Sequence, residues 1–370
     1  MTKIIEIETT ETIKEKVFLM GVIFNNKENV HSSLDELARL SDTASLEVVG
    51  RDYQLVRTIT PATLIGSGKV EELKIKVAES NADVVIFDCE LLGSQIKNLT
   101  DLLEVKILDR IGIILDIFAL RAISTESKLQ IELAQLKYTL PRLSGISGTS
   151  GRFGSGGVGT RGPGETKLEL DRRVIEKKII KLESELDKIK QQRLLKRKKR
   201  MNTNKKLVAI VGYTNVGKST LLNTISKAGV YDDDKLFATL DTTSRNVWIN
   251  PETQIILTDT IGFINKLPHT LIDAFASTLE EVQDADLILH VVDISNKDYK
   301  KQIEIVYNTL MQINADKIPI IIVYNKGDAI FEKKEDLIKN LKENEILISA
   351  KKNQNIDKLK EKICLVLNQK

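Results

Sequence analysis

Cysteine and histidine are scarce in this chain of 370 residues: there are two cysteines, Cys89 and Cys364, and three histidines, His31, His269 and His290. Two cysteines so far apart make no disulfide framework, and no Cys/His group has the spacing of a zinc site. With the histidines scattered, a histidine-based catalytic or metal centre is not expected. A long apolar run is missing too. The best candidate, Ile111–Ala122, is interrupted by Asp116 and Arg121 and falls short of the roughly 20 residues a membrane helix needs. Met1–Lys16 alternates charged with apolar residues and lacks the core of a signal peptide. These absences predict a cytoplasmic protein with no membrane span. At 42% hydrophobic and 29% charged, the composition is that of an ordinary folded protein. Its length allows two to three domains of about 100–200 residues each.

Charge is unevenly spread. Residues 167–206 hold 16 Lys/Arg against 6 Asp/Glu, a local +10 in a chain whose net charge is only +3. Such density reads as an electrostatic footprint for a polyanion. From charge alone, a solvated helix face fits as well.

Composition divides the chain into three segments: an N-terminal α/β domain (1–110), a basic helical segment (111–205) and a C-terminal domain (206–370). In the first, strands are predicted at Val17–Phe24, Leu46–Gly50, Asp83–Phe87 and Val105–Leu108, with helices at Ser33–Leu40 and Lys69–Glu79. That alternation predicts a mainly parallel sheet. In the second, Leu129, Leu133, Leu136 and Leu140 repeat every three or four residues, as do Ile175, Ile179, Leu182, Leu186 and Ile189. Both are seams of coiled-coil type. Between them, residues 144–166 pack nine glycines into 23 positions. The expected form is an antiparallel helical hairpin with a glycine-rich tip that carries Arg152 and Arg161, with Arg142 just before it.

In the third segment strands fit Leu207–Val211, Asn246–Ile249, Gln254–Asp259, Asp286–Asp293, Ile318–Asn325 and Glu345–Ser349. Helices fit Ser219–Ala228, Thr270–Asp284, Lys300–Gln312, Lys334–Glu343 and Ile356–Leu367. This is the alternation of a doubly wound α/β sheet.

The chemistry sits in that third segment. Gly212, Tyr213, Thr214, Asn215, Val216, Gly217, Lys218 and Ser219, followed by Thr220, fit the G-x-x-x-x-G-K-[ST] phosphate loop between a strand and a helix. Lys218 would reach the β- and γ-phosphates and the Ser219 hydroxyl would ligate Mg²⁺. Asp259, Thr260, Ile261 and Gly262 end a later strand; the carboxylate can hold Mg²⁺ through water, and the Gly262 N–H can bond the γ-phosphate. Asn325, Lys326, Gly327 and Asp328 end another. There Asp328 can accept from guanine N1–H and its exocyclic amine, a pair adenine lacks. Lys326 can lie along the base while Asn325 braces the loop. Ser349, Ala350 and Lys351 follow the last strand, and the Ala350 N–H can meet guanine O6. In this order, each at a strand's C-terminal end, the motifs imply a GTP-binding domain. The first switch must lie between the phosphate loop and Asp259. Its candidate is Phe237, Ala238, Thr239, Leu240, Asp241, Thr242 and Thr243, with Thr239 as the second Mg²⁺ hydroxyl and Thr243 as the alternative.

These residues resemble the translation-factor-related GTPases, and nearly the whole chain is similar to the HflX family of ribosome-associated GTPases. The likeness runs through Ile65–Leu73, Asp109-Arg110, Leu115–Ala122, Gln130–Leu136, Leu140–Leu143 and Gly162–Glu169. The pattern Phe-x-Thr-Leu-Asp at 237–241 also fits and favours Thr239. Two departures stand out: Thr242 replaces the usual proline, and the sequence all but ends after Leu367, so the C-terminal domain of some members is not expected. Gly66-Ser67-Gly68-Lys69 lacks the spacing of a second phosphate loop and reads as a structural turn, although the resemblance leaves open weak ATP binding by the N-terminal domain.

Phe263 stands where many switch GTPases place a water-orienting glutamine, so intrinsic hydrolysis should be slow. Asn215 implies, through related GTPases, a K⁺ ion beside the phosphates; a loop-bracing amide is the alternative. A monomer is expected, although the heptads could pair within one chain or between two; the resemblance implies a GTP/GDP-binding protein that docks on the large ribosomal subunit and its rRNA, splits stalled or idle ribosomes, and is reset by hydrolysis. Two other readings stay open: a signalling switch acting on a protein partner, or an RNA-remodelling ATPase run from the N-terminal domain.

Overall fold

The computed structural model describes residues 14–24, 30–146, 163–201, 205–226, 236–237, 240–265, 276–330 and 341–368. The chain divides into two compact units, Met1–Asp116 with Pro141–Leu168, and Ile117–Leu140 with Glu169–Lys370.

In the first unit the elements run β1 (Lys16–Ile23), α1 (Val30–Thr43), β2 (Glu47–Leu55), α2 (Ser67–Ser80), β3 (Val84–Phe87), α3 (Gly93–Leu103) and β4 (Lys106–Asp109). The four strands form one sheet in the order β2-β1-β3-β4, and every pairing is parallel. Strands with helices on both faces must be apolar throughout, and β1 and β3 are buried almost end to end. β2 runs to Leu55, past its predicted end at Gly50. The glycine does not break the strand because a Cβ there would lie 2.4 Å from the Phe18 ring, which covers it. α3 was not predicted; its buried apolar residues, Leu99 and Leu103, make a single one-turn repeat, too short a pattern to read.

A network of buried charge lies at the C-terminal ends of β3 and β4. Arg110, at 2% exposure, opens α4 (Arg110–Arg121). Its Nη1 donates to Asp88 at 2.5 Å and its Nη2 to Glu36 at 2.6 Å. Burial works against the guanidinium's charge, but the two carboxylates outweigh it and hold its pKa above the ordinary value. Next to it, Asp109 accepts from the Gly112 and Leu91 N–H groups and from Arg142 Nη2 at 2.9 Å.

The two long helices of the middle segment are α5 (Thr125–Ile146) and α6 (Pro163–Met201). Leu133, Ile179 and Leu182 form a buried cluster, with Leu129, Leu136, Leu140, Ile175 and Leu186 packed against it. Lys137 pairs with Glu183 at 2.7 Å and Lys178 with Glu132 at 2.5 Å beside that seam. α5 continues through Pro141, which removes one backbone donor; the first unit resumes at this residue. The glycine-rich tip lies mostly outside the described residues, 147–162 entirely.

The larger sheet is built from β5 (Lys206–Gly212), β6 (Thr243–Trp248), β7 (Gln254–Asp259), β8 (Leu287–Asp293), β9 (Ile320–Asn325) and β10 (Glu345–Leu347). Helices α7 (Lys218–Ser226), α8 (Ala276–Gln283), α9 (Tyr299–Gln312) and α10 (Ile356–Asn368) alternate with them. The strand order is β10-β9-β8-β5-β7-β6. β6 departs from the predicted pattern: it runs antiparallel to β7, joined to it by a tight turn closed by Ile249 N–H to Thr253 O at 3.1 Å. The order reverses at β5, between β7 and β8, and ligands of open α/β sheets bind beyond the strands' C-terminal ends at such a point. The predicted helix Lys334–Glu343 and the start of Thr270–Asp284 fall mainly outside the described residues. His290, 1% exposed on β8, stacks edge-on against Tyr307, and burial pulls its pKa down to about 3. It is a neutral core residue. Among the described residues no helix is long and apolar enough to cross a membrane.

Replacing Arg110 by methionine removes the cation that Asp88 and Glu36 share, so the unit should lose about 3–5 kcal/mol. A urea titration following its unfolding transition measures this, and an unchanged midpoint would mean the network contributes nothing.

Candidate nucleotide site

β5 ends at Gly212 and, after five intervening residues, α7 begins at Lys218. The loop between them turns through left-handed backbone at Asn215 (φ 60°) and Gly217 (φ 90°). Gly217 is required twice over, since a Cβ there would also lie 2.4 Å from Asn325 Nδ2. Successive N–H groups in such a turn, at a helix N-terminus, form a concavity suited to an anion.

Lys218 is 7% exposed, and its Nζ donates to Tyr213 O at 2.9 Å. Burial strips the amine of water and pulls its pKa from 10.5 down to about 8, with Asp259 opposing. Ser219 Oγ donates to Asp259 Oδ2 at 2.8 Å, in a buried pair. The Asp259–Gly262 segment is tied to β5 at both ends. Thr260 Oγ1 donates to Ile210 O at 2.7 Å, Phe263 N–H to Gly212 O at 3.0 Å, and Thr214 N–H to Phe263 O at 2.9 Å. The Phe263 ring is fully buried, in a core with Val211 and Leu279. Gly262 approaches so closely that a Cβ would meet Lys218 Nζ at 3.0 Å and the Thr214 side chain at 2.8 Å.

On the base side, the buried Asn325 donates from Nδ2 to Val216 O at 2.9 Å and accepts at Oδ1 from the Ala350 N–H at 3.0 Å. The Ala350 N–H, expected to face guanine O6, is thus bonded to this side chain. Lys326, itself left-handed (φ 61°), reaches Asn215 O at 2.9 Å and Asp293 Oδ2 at 2.7 Å. Asp328 accepts from Ser349 Oγ at 2.6 Å, a bond that holds its carboxyl below the usual range. Lys351 is exposed on the adjoining turn. Thr220 follows Ser219 on the first turn of α7.

The structure therefore gathers the phosphate-loop, Asp259–Gly262, Asn325–Asp328 and Ser349–Lys351 segments around one edge of the sheet. Of the first-switch candidates, Ala238 and Thr239 lie outside the described residues. Phe237 and Leu240 are buried. Asp241 points to the start of α5, where it accepts from the Ile123 and Ser124 N–H groups and both serine hydroxyls, Ser124 and Ser127. Thr243 opens β6 directly opposite Asp259. Sequence reasoning missed Asp293, although an acid closing the strand before the one that carries the base loop is a readable signal. It also missed Ser124 and Ser127, which no local pattern marks.

Mg²⁺ fits this donor set. The Ser219 hydroxyl and Asp259 carboxylate are hard oxygens already in contact. Among the described residues no group of three or more His, Cys, Asp or Glu could cage a metal. Such an ion takes its other ligands from phosphates and water.

Three family profiles match in succession: GTP-binding GTPase N-terminal over residues 31–119, GTP-binding GTPase Middle Region over 121–200, and 50S ribosome-binding GTPase over 207–326. The GTPase HflX of Caldanaerobacter subterraneus subsp. tengcongensis is 49% identical over 350 residues, 95% of this chain and 80% of that one. This chain belongs to the HflX family. The HflX of Escherichia coli is 39% identical over 348 residues, covering 93% of this chain and 81% of its own. The crystal structure of SsGBP in complex with GDP superposes with a TM-score of 0.52 at 26% identity, over 96% of this chain and 99% of that one. As an HflX-family protein with a P-loop GTPase domain, the chain hydrolyses GTP.

The lowered Lys218 pKa has a measurable consequence. A phosphate beside the amine favours its charged form, so nucleotide binding above pH 8 must take up a proton, and affinity falls as pH rises beyond that value. Calorimetry of GDP binding at pH 9, in buffers of different ionisation enthalpy, should show an uptake approaching one proton. No uptake would mean that Lys218 is already charged.

Proposed function

We propose that this HflX-family GTPase docks on the large ribosomal subunit in its GTP state, separates stalled or idle ribosomes into subunits, and is reset by hydrolysis. The observation that carries this reading is the match of residues 207–326 to a family described as 50S ribosome-binding GTPase. Behind it stands the density of positive charge on α6. The chain works as three segments, 1–110, 111–205 and 206–370, with α5 and α6 as an antiparallel hairpin whose glycine-rich tip fits an irregular RNA surface by shape. Attachment through such an arm is salt-sensitive. The protein acts as a monomer in the cytoplasm.

At the nucleotide, Lys218 exchanges Tyr213 O for the β- and γ-phosphates, and the N–H groups of residues 213–220 hold the remaining phosphate oxygens. Ser219 and a first-switch threonine, Thr239 by preference, would hold Mg²⁺, with Asp259 acting through water. When bound, the ion neutralises charge that builds between the phosphates. The Gly262 N–H faces the γ-phosphate. Asp328 reads guanine N1–H and its amine while Lys326 covers the base, and Ser349, Ala350 and Lys351 close the pocket. Phe263, a buried ring, orients no water, which supports slow intrinsic hydrolysis. The missing stabilisation comes from the ribosome and from K⁺ held by the exposed Asn215.

The test is steady-state GTP turnover with and without purified large subunits, in K⁺ and in Na⁺ buffer. A rise of tenfold or more with subunits removes at least about 1.4 kcal/mol from the barrier and is the expected result; K⁺ should exceed Na⁺ in both cases. No rise, with GTP binding intact, would transfer the activating role to a protein partner and favour a signalling switch.

A further inference from the structure

Asp241 makes more bonds than a solvent-facing switch residue needs. Its Oδ2 accepts from the Ile123 and Ser124 N–H groups, both at 3.1 Å, and its Oδ1 from Ser124 Oγ at 2.6 Å and from the Ser127 hydroxyl. The helix does not depend on this carboxylate for its start. Ser124 Oγ already accepts from the Ser127 N–H at 3.1 Å, which is an ordinary serine N-cap. What the four bonds fix is therefore the Asp241 side of the contact.

Two residues on, Thr243 begins β6 opposite Asp259, and the neighbouring rung is reinforced by a hydroxyl bond between Ser244 and Thr258 at 2.9 Å. Asp259 in turn accepts from Ser219. The two-residue step from Asp241 to Thr243 and the β6–β7 ladder thus connect the first turn of α5 to the hydroxyl–carboxylate pair beside the phosphate loop. A ring contact supports the same region: Phe237, 2% exposed, lies edge-on to Phe118 with centroids 4.7 Å apart.

We propose that Ser124 and Ser127, from the middle region of the chain, are positioning residues for GTP hydrolysis, acting through Asp241 on the strand that flanks Asp259. The grip on nucleotide lies elsewhere, on the Lys218 and Asn325 loops. Loss of the serine hydroxyls therefore slows turnover without loosening GDP. The proposal rests on reading residues 237–241 as the first switch.

The experiment compares full-length variants by GDP Kd, GTP kcat and KM, and Tm. Ser124→Ala/Ser127→Ala should lower kcat about tenfold, less than the roughly 100-fold that a 1 Å misplacement can cost, with GDP Kd within about twofold of the parent. Ser124→Thr/Ser127→Thr, which keeps both hydroxyls, should restore kcat. Asp241→Asn should match the alanine pair, and the triple variant should fall no further, because groups acting as one unit are not additive. An unchanged kcat in the alanine pair overturns the proposal, as does a loss that tracks GDP affinity and Tm and that threonine does not rescue. If Asp241→Asn slows turnover and the alanine pair does not, the link to α5 fails and the first-switch reading survives. If neither does, both fail. Should the pair not fold, Ser127→Ala alone leaves the Ser124 cap and carries the same comparison.

Discussion

The carboxamide of Asn325 is the constraint on which the nucleotide site depends. It joins three loops that follow three different strands: its Nδ2 holds Val216 O, its Oδ1 takes the Ala350 N–H, and the backbone after it carries Lys326 and Asp328 toward the same edge. Loops beyond parallel strands have no ladder to satisfy their polar groups. A buried amide with one donor face and one acceptor face meets that demand for two of them at once. Gly217 gives way to it, and Lys326 adds a second tie to the phosphate loop through Asn215 O. These few bonds tie the phosphate side of the site to the base side.

Two buried cations show how the same physics serves different ends. Arg110 has a carboxylate on each Nη, and its charge is held firmly in place. Lys218 is also buried but bonds a carbonyl oxygen, and burial pulls its pKa down to about 8. The first arrangement stabilises a fold. The second is a poised group that gains most when an anion arrives, which is why strongly shifted groups gather where ligands bind.

Much of the fold could be read from patterning. Short runs such as Val17–Ile23 and Leu287–Val292, the second apolar but for His290, read as strands buried on both faces, and they are. The four-three spacing of Leu129 to Leu140 and of Ile175 to Leu186 marked the residues that meet in one cluster. Where patterning failed, the reason is physical. α3 buries too few residues to show a period. The direction of β6 is set by a five-residue turn that returns it along β7, and alternation of apolar residues carries no sign of strand direction. The exchange of Asp293 with Lys326 joins side chains from two adjacent strand ends that are 33 positions apart in the chain.

The order of motifs along the chain was enough to establish a GTP-binding domain, because backbone turns, a lysine and an Asp at fixed spacings are local requirements of phosphate and guanine chemistry. Composition likewise ruled out disulfides and membrane helices. Only the folded chain decides what each group does before a ligand arrives. Burial, which no spacing encodes, makes Lys218 weakly basic. Packing turns Phe263 inward, and a contact spanning more than a hundred residues brings Asp241 to Ser124 and Ser127. Local chemistry is written in neighbours along the chain, whereas desolvation and long-range pairing exist only once distant segments have excluded water together.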